Sequence, residues 1–170
     1  MAQDDLGKGA AGVKALAGGS MATNCLSCEI VSGRRPVPCG AVAETEHFHC
    51  HQDVAYPVPG LIIVAAKRHF RLLTEMTVAE SAALIPLLQR IRRAQAAVLG
   101  VEHAYFFYNE DTKHHFHVWV VPRYDWMRAF GKSIDSVRPA LLHARKTDTP
   151  DFQPPNLERV ASELKRELIR

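Results

Sequence analysis

Long apolar runs are missing from this sequence: none approaches the ~20 residues needed to cross a bilayer as a helix, so no membrane partner is expected. A secretory layout is missing as well, because Asp4 and Asp5 stand where a basic n-region would be. Net charge is low. Twenty-one Lys+Arg against 18 Asp+Glu leave +3 at pH 7 with His neutral, too small an excess for a broad nucleic-acid footprint. Cysteine is sparse, four in 170 residues, which is no disulfide framework and suits a reduced compartment with thiol or metal roles. A cytoplasmic location is the resulting expectation. What is present is apolar residues, 47% of the chain, and with so little net charge this excludes a disordered polypeptide. A chain of this length buries one core without staples.

Residues 1–20 end in Leu16-Ala17-Gly18-Gly19-Ser20, small residues without periodicity, a second methionine follows at Met21, and 1–22 read as a flexible leader or tag. A structured domain is expected over 23–125, with 126–170 as a C-terminal extension packing on it. Ala41–Glu44 follows the Pro/Gly-marked stretch of Pro36, Pro38 and Gly40. Two strand-like runs come next, His47–Gln52 and Leu61–Ala66, parted by Pro57, Pro59 and Gly60. Thr77 and Glu80 form a capping box that opens a helix, Leu84, Leu88, Ile91 and Val98 give it an apolar stripe, and Gly100 ends it. Pro86 inside this helix should bend it or leave a carbonyl unbonded, and Arg90, Arg92 and Arg93 read as a solvated face.

Ala104–Tyr108 and His115–Val121 read as a hairpin with its chemistry at the mouth. Beyond Pro122 the chain is irregular, with a helical part around Ile134–Arg145. A last helix capped by Asn156 carries Leu157, Val160, Leu164 and Leu168 as its stripe. The sum is an α+β fold: an antiparallel sheet of about five strands, one long helix and a C-terminal helical extension.

The most informative segment is His114-His115-Phe116-His117-Val118-Trp119-Val120-Val121-Pro122-Arg123. On a strand, residues 115, 117 and 119 share one face, and Phe116, Val118 and Val120 face the core. Neutral imidazole is a competent nucleophile near pH 7, its unperturbed pKa being about 6.5. Two imidazoles beside Lys113 and His114 have the chemistry to hold a phosphate and attack it. The alternative is a surface strand with incidental histidines.

Cys25-Leu26-Ser27-Cys28-Glu29-Ile30-Val31-Ser32-Gly33, then Asp53, Pro59-Gly60-Leu61-Ile62-Ile63-Val64, Lys67-Arg68-His69 and the histidine strand resemble, in this order, the histidine triad (HIT) superfamily. Spacing back from Pro122-Arg123 places His115, His117 and Trp119 at the three triad positions, an HxHxW variant resembling the diadenosine polyphosphate hydrolases. The resemblance covers roughly residues 25–125 and implies a HIT-like fold, usually a homodimer, and a nucleotide hydrolase or nucleotidyl transferase. It implies His117 as the nucleophile on the α-phosphorus of a dinucleoside polyphosphate or adenosine monophosphate ester, with His115 orienting it. Asn109 then matches the residue that fixes phosphate or ribose, and Asp53 the acid that accepts the ribose hydroxyls. His51 shares the parity of Asp53 and approaches the nucleobase. Trp119 departs from the pattern, because indole has no basic nitrogen and cannot act as a general acid. The loop before His115 departs too, with Thr112, Lys113 and His114 as replacement phosphate donors that favour a more anionic leaving group.

Cys25-x-x-Cys28 by itself fits a redox pair, half a zinc site or two buried thiols, and it lacks the following helix of a thioredoxin-like motif. By resemblance the pair joins His69 and His115 in a structural zinc site, linking metal to His117 through positioning. His47-x-His49-x-His51 imitates the triad without a following Pro-Arg, and His47 and His49 read as an exposed polar face. Cys39 and Cys50 read as ordinary thiols. Two other functions stay open: a zinc-stabilised nucleotide-binding module without turnover, and a metallohydrolase built on an open zinc.

Overall fold

The computed structural model describes residues 25–112 and 114–170. The expected leader and Lys113 lie outside the described residues. A short helix, α1 (Leu26–Val31), is followed by strands β1 (Ala41–Glu44), β2 (Phe48–Gln52) and β3 (Ile62–Ala66). Helix α2 (Val78–Leu99), the hairpin β4 (His103–Phe107) and β5 (His117–Arg123), and helices α3 (Val137–Lys146) and α4 (Pro154–Ile169) complete the chain. The five strands form one sheet of order β1-β2-β3-β5-β4, antiparallel at every pairing.

The period-two alternation divides the sheet into two faces. On one face Phe48, Cys50, Ile62, Val64, Val118 and Val120 are buried under α2 and α4. The other face carries Ile63, Ala65 and Val121, covered by Ala140, Leu141 and Ala144 of α3. The extension therefore wraps the sheet, with α3 on one side and α4, through Leu157, Val160, Leu164 and Leu168, on the other.

Helix α2 starts where its capping box lies. Thr77 Oγ1 accepts from the Glu80 N–H at 3.2 Å, and Glu80 Oε2 accepts from the Thr77 N–H at 2.8 Å. Gly100 closes the helix at φ +66, a left-handed cap that a side chain rarely adopts. The helix runs through Pro86 without interruption, and both Pro86 and Ala82, whose carbonyl loses its usual donor, are exposed to water. At Gly60 the backbone turns at φ +74, a conformation that favours glycine, and a Cβ there would also push the Leu99 side chain of α2 aside, at 2.5 Å from its Cδ1.

Four sequence expectations need correction. Helix α1 does follow Cys25, built on the Glu29 N–H to Cys25 carbonyl bond of 3.1 Å, although it is only six residues long. The last helix begins at Pro154 with Gln153 as its cap, because two prolines preset the first turn. Asn156 sits inside that turn, donating to the Asp151 carbonyl at 2.8 Å. Arg90 and Arg92 are not simply solvated, since Arg90 donates to the Leu168 carbonyl at 2.7 Å and Arg92 to those of Val101 and Glu102. Strand β5 begins at His117 and continues past Pro122, which pairs with Ala104 of β4 beyond the last β3 partner, where a missing donor is tolerated.

Candidate active site and metal-ligating cluster

Sheet register assembles the site. His49, Ala65 and His117 lie opposite one another across β2, β3 and β5, and His51, Ile63, Trp119 and Phe107 form the next row. All share one face. The alternating histidines of β2, His49 and His51, thus belong to the same surface as His117 of β5, and His49 is buried rather than exposed, correcting the sequence expectation. Its Nδ1 lies 2.8 Å from Glu44 Oε1, so the buried ring gives one hydrogen to a carboxylate. His47, before the strand, is half-buried.

A cleft of about 490 Å³ opens on this face between α1 and the turn after β2, and His51, Asp53, Tyr56, His114, His117 and Trp119 line it. Leu26 and Ile30 of α1 and the Pro36–Pro38 turn supply an apolar wall. His117 Nδ1 is 2.9 Å from the His115 carbonyl oxygen. A carbonyl only accepts, so Nδ1 carries the hydrogen and Nε2 of the neutral ring keeps its lone pair. The preceding segment is held on both sides: the Phe116 N–H donates to the Phe70 carbonyl at 2.7 Å, and its carbonyl accepts from the Ala66 N–H at 3.0 Å.

Burial sets the charge state of the neighbours. His51 is pushed down to about 4, first by desolvation and then by the rings of His49 and His117, so it lines the cleft as a neutral imidazole. Asp53 is raised by burial, while backbone N–H groups, among them that of Ala55 at 2.8 Å, act in the opposite direction. Asp53 is placed by Gln52, which is fully buried. Its amide donates to the Asp53 and Val58 carbonyls at 2.7 and 2.9 Å and accepts from the Gly60 N–H at 2.8 Å, fixing the 53–60 turn.

Asn109 is not in this group. It lines an adjoining cleft with Phe107, Trp119 and Arg138. Thr112 stands outside both clefts, its hydroxyl directed at the His114 carbonyl and its own carbonyl accepting from Arg71 at 2.6 Å. Sequence reasoning missed Gln52, Tyr56, the α1 wall and the residues of α3. The Leu26 and Ile30 pair, at helical i,i+4 spacing, was the one available signal.

Cys25, Cys28, His69 and His115 come together although 90 residues of chain separate the first from the last. Their ligand atoms all lie within 4.8 Å of one another. Both imidazoles turn Nδ1 to the Cys28 sulfur, His69 at 3.1 Å and His115 at 3.3 Å. Cys25, Cys28 and His115 are buried, and His69 is half-buried. Two thiols and two imidazoles are the donor set of a closed tetrahedral zinc site, whose bonds of about 2.0–2.3 Å separate donors by roughly 3.5 Å. The residues fit zinc. The remaining thiols differ: Cys50 is sealed in the core, where burial pushes it up to about 12, and Cys39 is raised for the same reason.

No protein-family model and no curated protein matches the sequence. Solved structures do. A zinc-bound histidine triad family protein from Mycobacterium smegmatis aligns over 86% of this chain and 94% of its own, with 24% identity and a TM-score of 0.62. A hypothetical histidine triad nucleotide-binding protein from Sulfolobus tokodaii aligns over 85% and 92%, with 19% identity and a TM-score of 0.63. A Streptococcus mutans protein shares 28% identity over 89% of each chain, with a TM-score of 0.57. The five-stranded antiparallel sheet, its long helix and the histidine strand β5 between β3 and β4 are the fold of the histidine triad proteins.

Proposed function

We propose that this chain is a histidine triad nucleotide hydrolase or nucleotidyl transferase that works through a covalent bond from His117 to the α-phosphorus. The observation that carries the reading is the His117 Nδ1 contact with the His115 carbonyl, which leaves Nε2 as a lone-pair nitrogen on a cleft-lining ring. In the first step Nε2 forms an N–P bond as the bridging P–O bond breaks, and the electron pair stays on the leaving oxygen. In the second, water supplies oxygen to phosphorus, the P–N pair returns to Nε2, and the water proton passes to solvent. An acceptor other than water makes the same step a transfer.

Asp53, in the same cleft, offers carboxylate oxygens to ribose hydroxyls, and the neutral His51 borders the base. His114 lies with its ring centroid 6.4 Å from that of His117, close enough to contact the phosphate. Lys113 joins His114 as a phosphate donor in this reading, while Thr112, its hydroxyl turned to the His114 carbonyl, does not. Trp119 supplies no acidic proton, so substrates whose leaving group is stable as an anion, such as dinucleoside polyphosphates, suit the site better than amine esters.

Cys25, Cys28, His69 and His115 would hold zinc. Bound there, it supplies rigidity and no reacting group, because four protein donors close its coordination. That closure weighs against the open-zinc metallohydrolase. Trp119 itself favours the second reading, a nucleotide-binding module that has lost turnover with its third histidine. The open edge of β4, with Phe106 half exposed, supports a homodimer that extends the sheet, and a cytoplasmic location goes with the reduced thiols. No helix among the described residues is long and apolar enough to cross a membrane.

Rapid mixing with diadenosine tetraphosphate separates the two readings. Turnover in the intact protein that falls by about 10³-fold or more in His117→Ala supports the enzyme. Saturable binding with no product in either protein supports the module.

A further inference from the structure

We propose that the C-terminal extension builds a second subsite beside the His117 cleft, for an aromatic ring carried by an anionic leaving group. The inference rests on the nucleotidyl-histidine reading and assigns residues which that reading does not use.

Tyr56 and Trp119, ring centroids 5.5 Å apart, line both the His117 cleft and the adjoining one of about 260 Å³. The adjoining cleft has a third aromatic wall, Phe107, opposite Trp119 in the β4–β5 register. Its far side comes from the extension: Ile134, Val137 and Leu141 are aliphatic, and Arg138 adds a cation. Ile134 is 60% exposed, an apolar side chain left at the rim where a planar group would cover it. Three rings and three aliphatic side chains form a slot for a flat apolar body, and Arg138 with Asn109 are its polar residues.

The chemistry at His117 says which half of a substrate this slot receives. When the N–P bond forms, the breaking P–O bond leaves its electron pair on the departing group, and Trp119 has no proton to give it. The departing group must therefore be stable as an anion, as a polyphosphate is. Arg138 matches that charge, and it is the second residue of α3, so the positive end of the helix dipole lies at the same cleft. A ring joined to the far end of the phosphates then stacks among Tyr56, Phe107 and Trp119. The reacting nucleotide occupies the His51 and Asp53 side, and the leaving half crosses the shared Tyr56–Trp119 rim.

The test compares kcat/KM for diadenosine tetraphosphate with that for adenosine 5′-tetraphosphate. Attack at the α-phosphorus releases an anionic polyphosphate from both, and the two differ by the distal nucleoside alone. Wild type should prefer the first by about tenfold or more, the scale of one stacked base. Ile134→Trp, at an exposed position of the slot, should reduce that ratio by about fivefold or more, whereas Arg138→Ala should lower kcat/KM for both substrates alike, since both release a polyphosphate. Equal rates on the two substrates in wild type, or a ratio that Ile134→Trp does not move, overturns the subsite and leaves the His117 mechanism standing. Turnover of neither substrate overturns the His117 mechanism, and the subsite with it.

Discussion

His117 donates its Nδ1 hydrogen to the carbonyl oxygen of His115 at 2.9 Å, and the His115 ring sits 3.3 Å from the Cys28 sulfur. One residue therefore touches His117, the proposed nucleophile, through its backbone and the cysteine–histidine cluster through its side chain. Whatever orders the cluster orders the direction in which His117 presents its basic nitrogen.

Metal content follows from this geometry. Protein purified without chelator should carry one zinc per chain by elemental analysis, and Cys28→Ser should carry almost none. Losing a buried four-donor site costs about 2 kcal/mol or more, which at roughly 2–4 °C per kcal/mol lowers Tm by about 5 °C. In the same variant kcat should fall more than KM rises, because His117 loses its alignment. Metal-free wild type with an unchanged Tm would contradict the zinc assignment.

Replacing Trp119 by histidine restores an imidazole next to His117, whose ring centroid is 6.4 Å from the indole. A positioned acid contributes about 10²–10⁴-fold when the leaving group needs a proton. Trp119→His should therefore raise kcat/KM for adenosine 5′-phosphoramidate, which releases an amine, by about tenfold or more, with a much smaller change for a dinucleoside polyphosphate. Equal changes on both substrates would show that Trp119 does not govern proton supply.

Acid stability centres on Glu80, which accepts from Arg68 Nε and Nη2 at 2.9 and 2.8 Å. Burial opposes its charge, but Arg68 and the Thr77 N–H and hydroxyl outweigh it and hold the carboxyl at about 2. An unfolded glutamate titrates near ~4.3, so this contribution is complete above that pH and is lost as pH falls through the folded value. Glu80→Gln should destabilise by about 2 kcal/mol at pH 6 in denaturant unfolding, and the gap to wild type should narrow below about pH 4. A gap that widens on acidification would reverse the assignment.

Gln52 is a positioning residue for Asp53. Gln52→Leu keeps the bulk and removes three hydrogen bonds from the 53–60 turn, so KM for nucleotide should rise by about fivefold or more with kcat less affected. Loss confined to kcat would show that the turn does not carry substrate.

The strands and the long helix were legible in the sequence because each leaves a local pattern: alternation at β2 and β5, a continuous apolar run at β3, and the Thr77–Glu80 box. The joining of Cys25 and Cys28 with His69 and His115 came through resemblance, because those histidines lie far along the chain from the cysteines. The site was legible only in part. His49 looked exposed because alternation identifies a face without saying what covers it, and here the chain returns over that face. Asn109 lies two residues beyond β4 and lines, with Tyr56, Trp119 and the residues of α3, a different cleft from that of His117. Gln52 and Arg138 gave no signal, since their roles depend on contacts across tertiary distance.

The most direct test is intact mass of the protein seconds after mixing with diadenosine tetraphosphate, recorded at neutral or alkaline pH because the phosphoramidate is acid-labile. The account predicts an added adenylyl group that maps to His117, decays with time and never forms in His117→Ala. Product released at the normal rate with no such adduct, or an adduct that persists in His117→Ala, contradicts it.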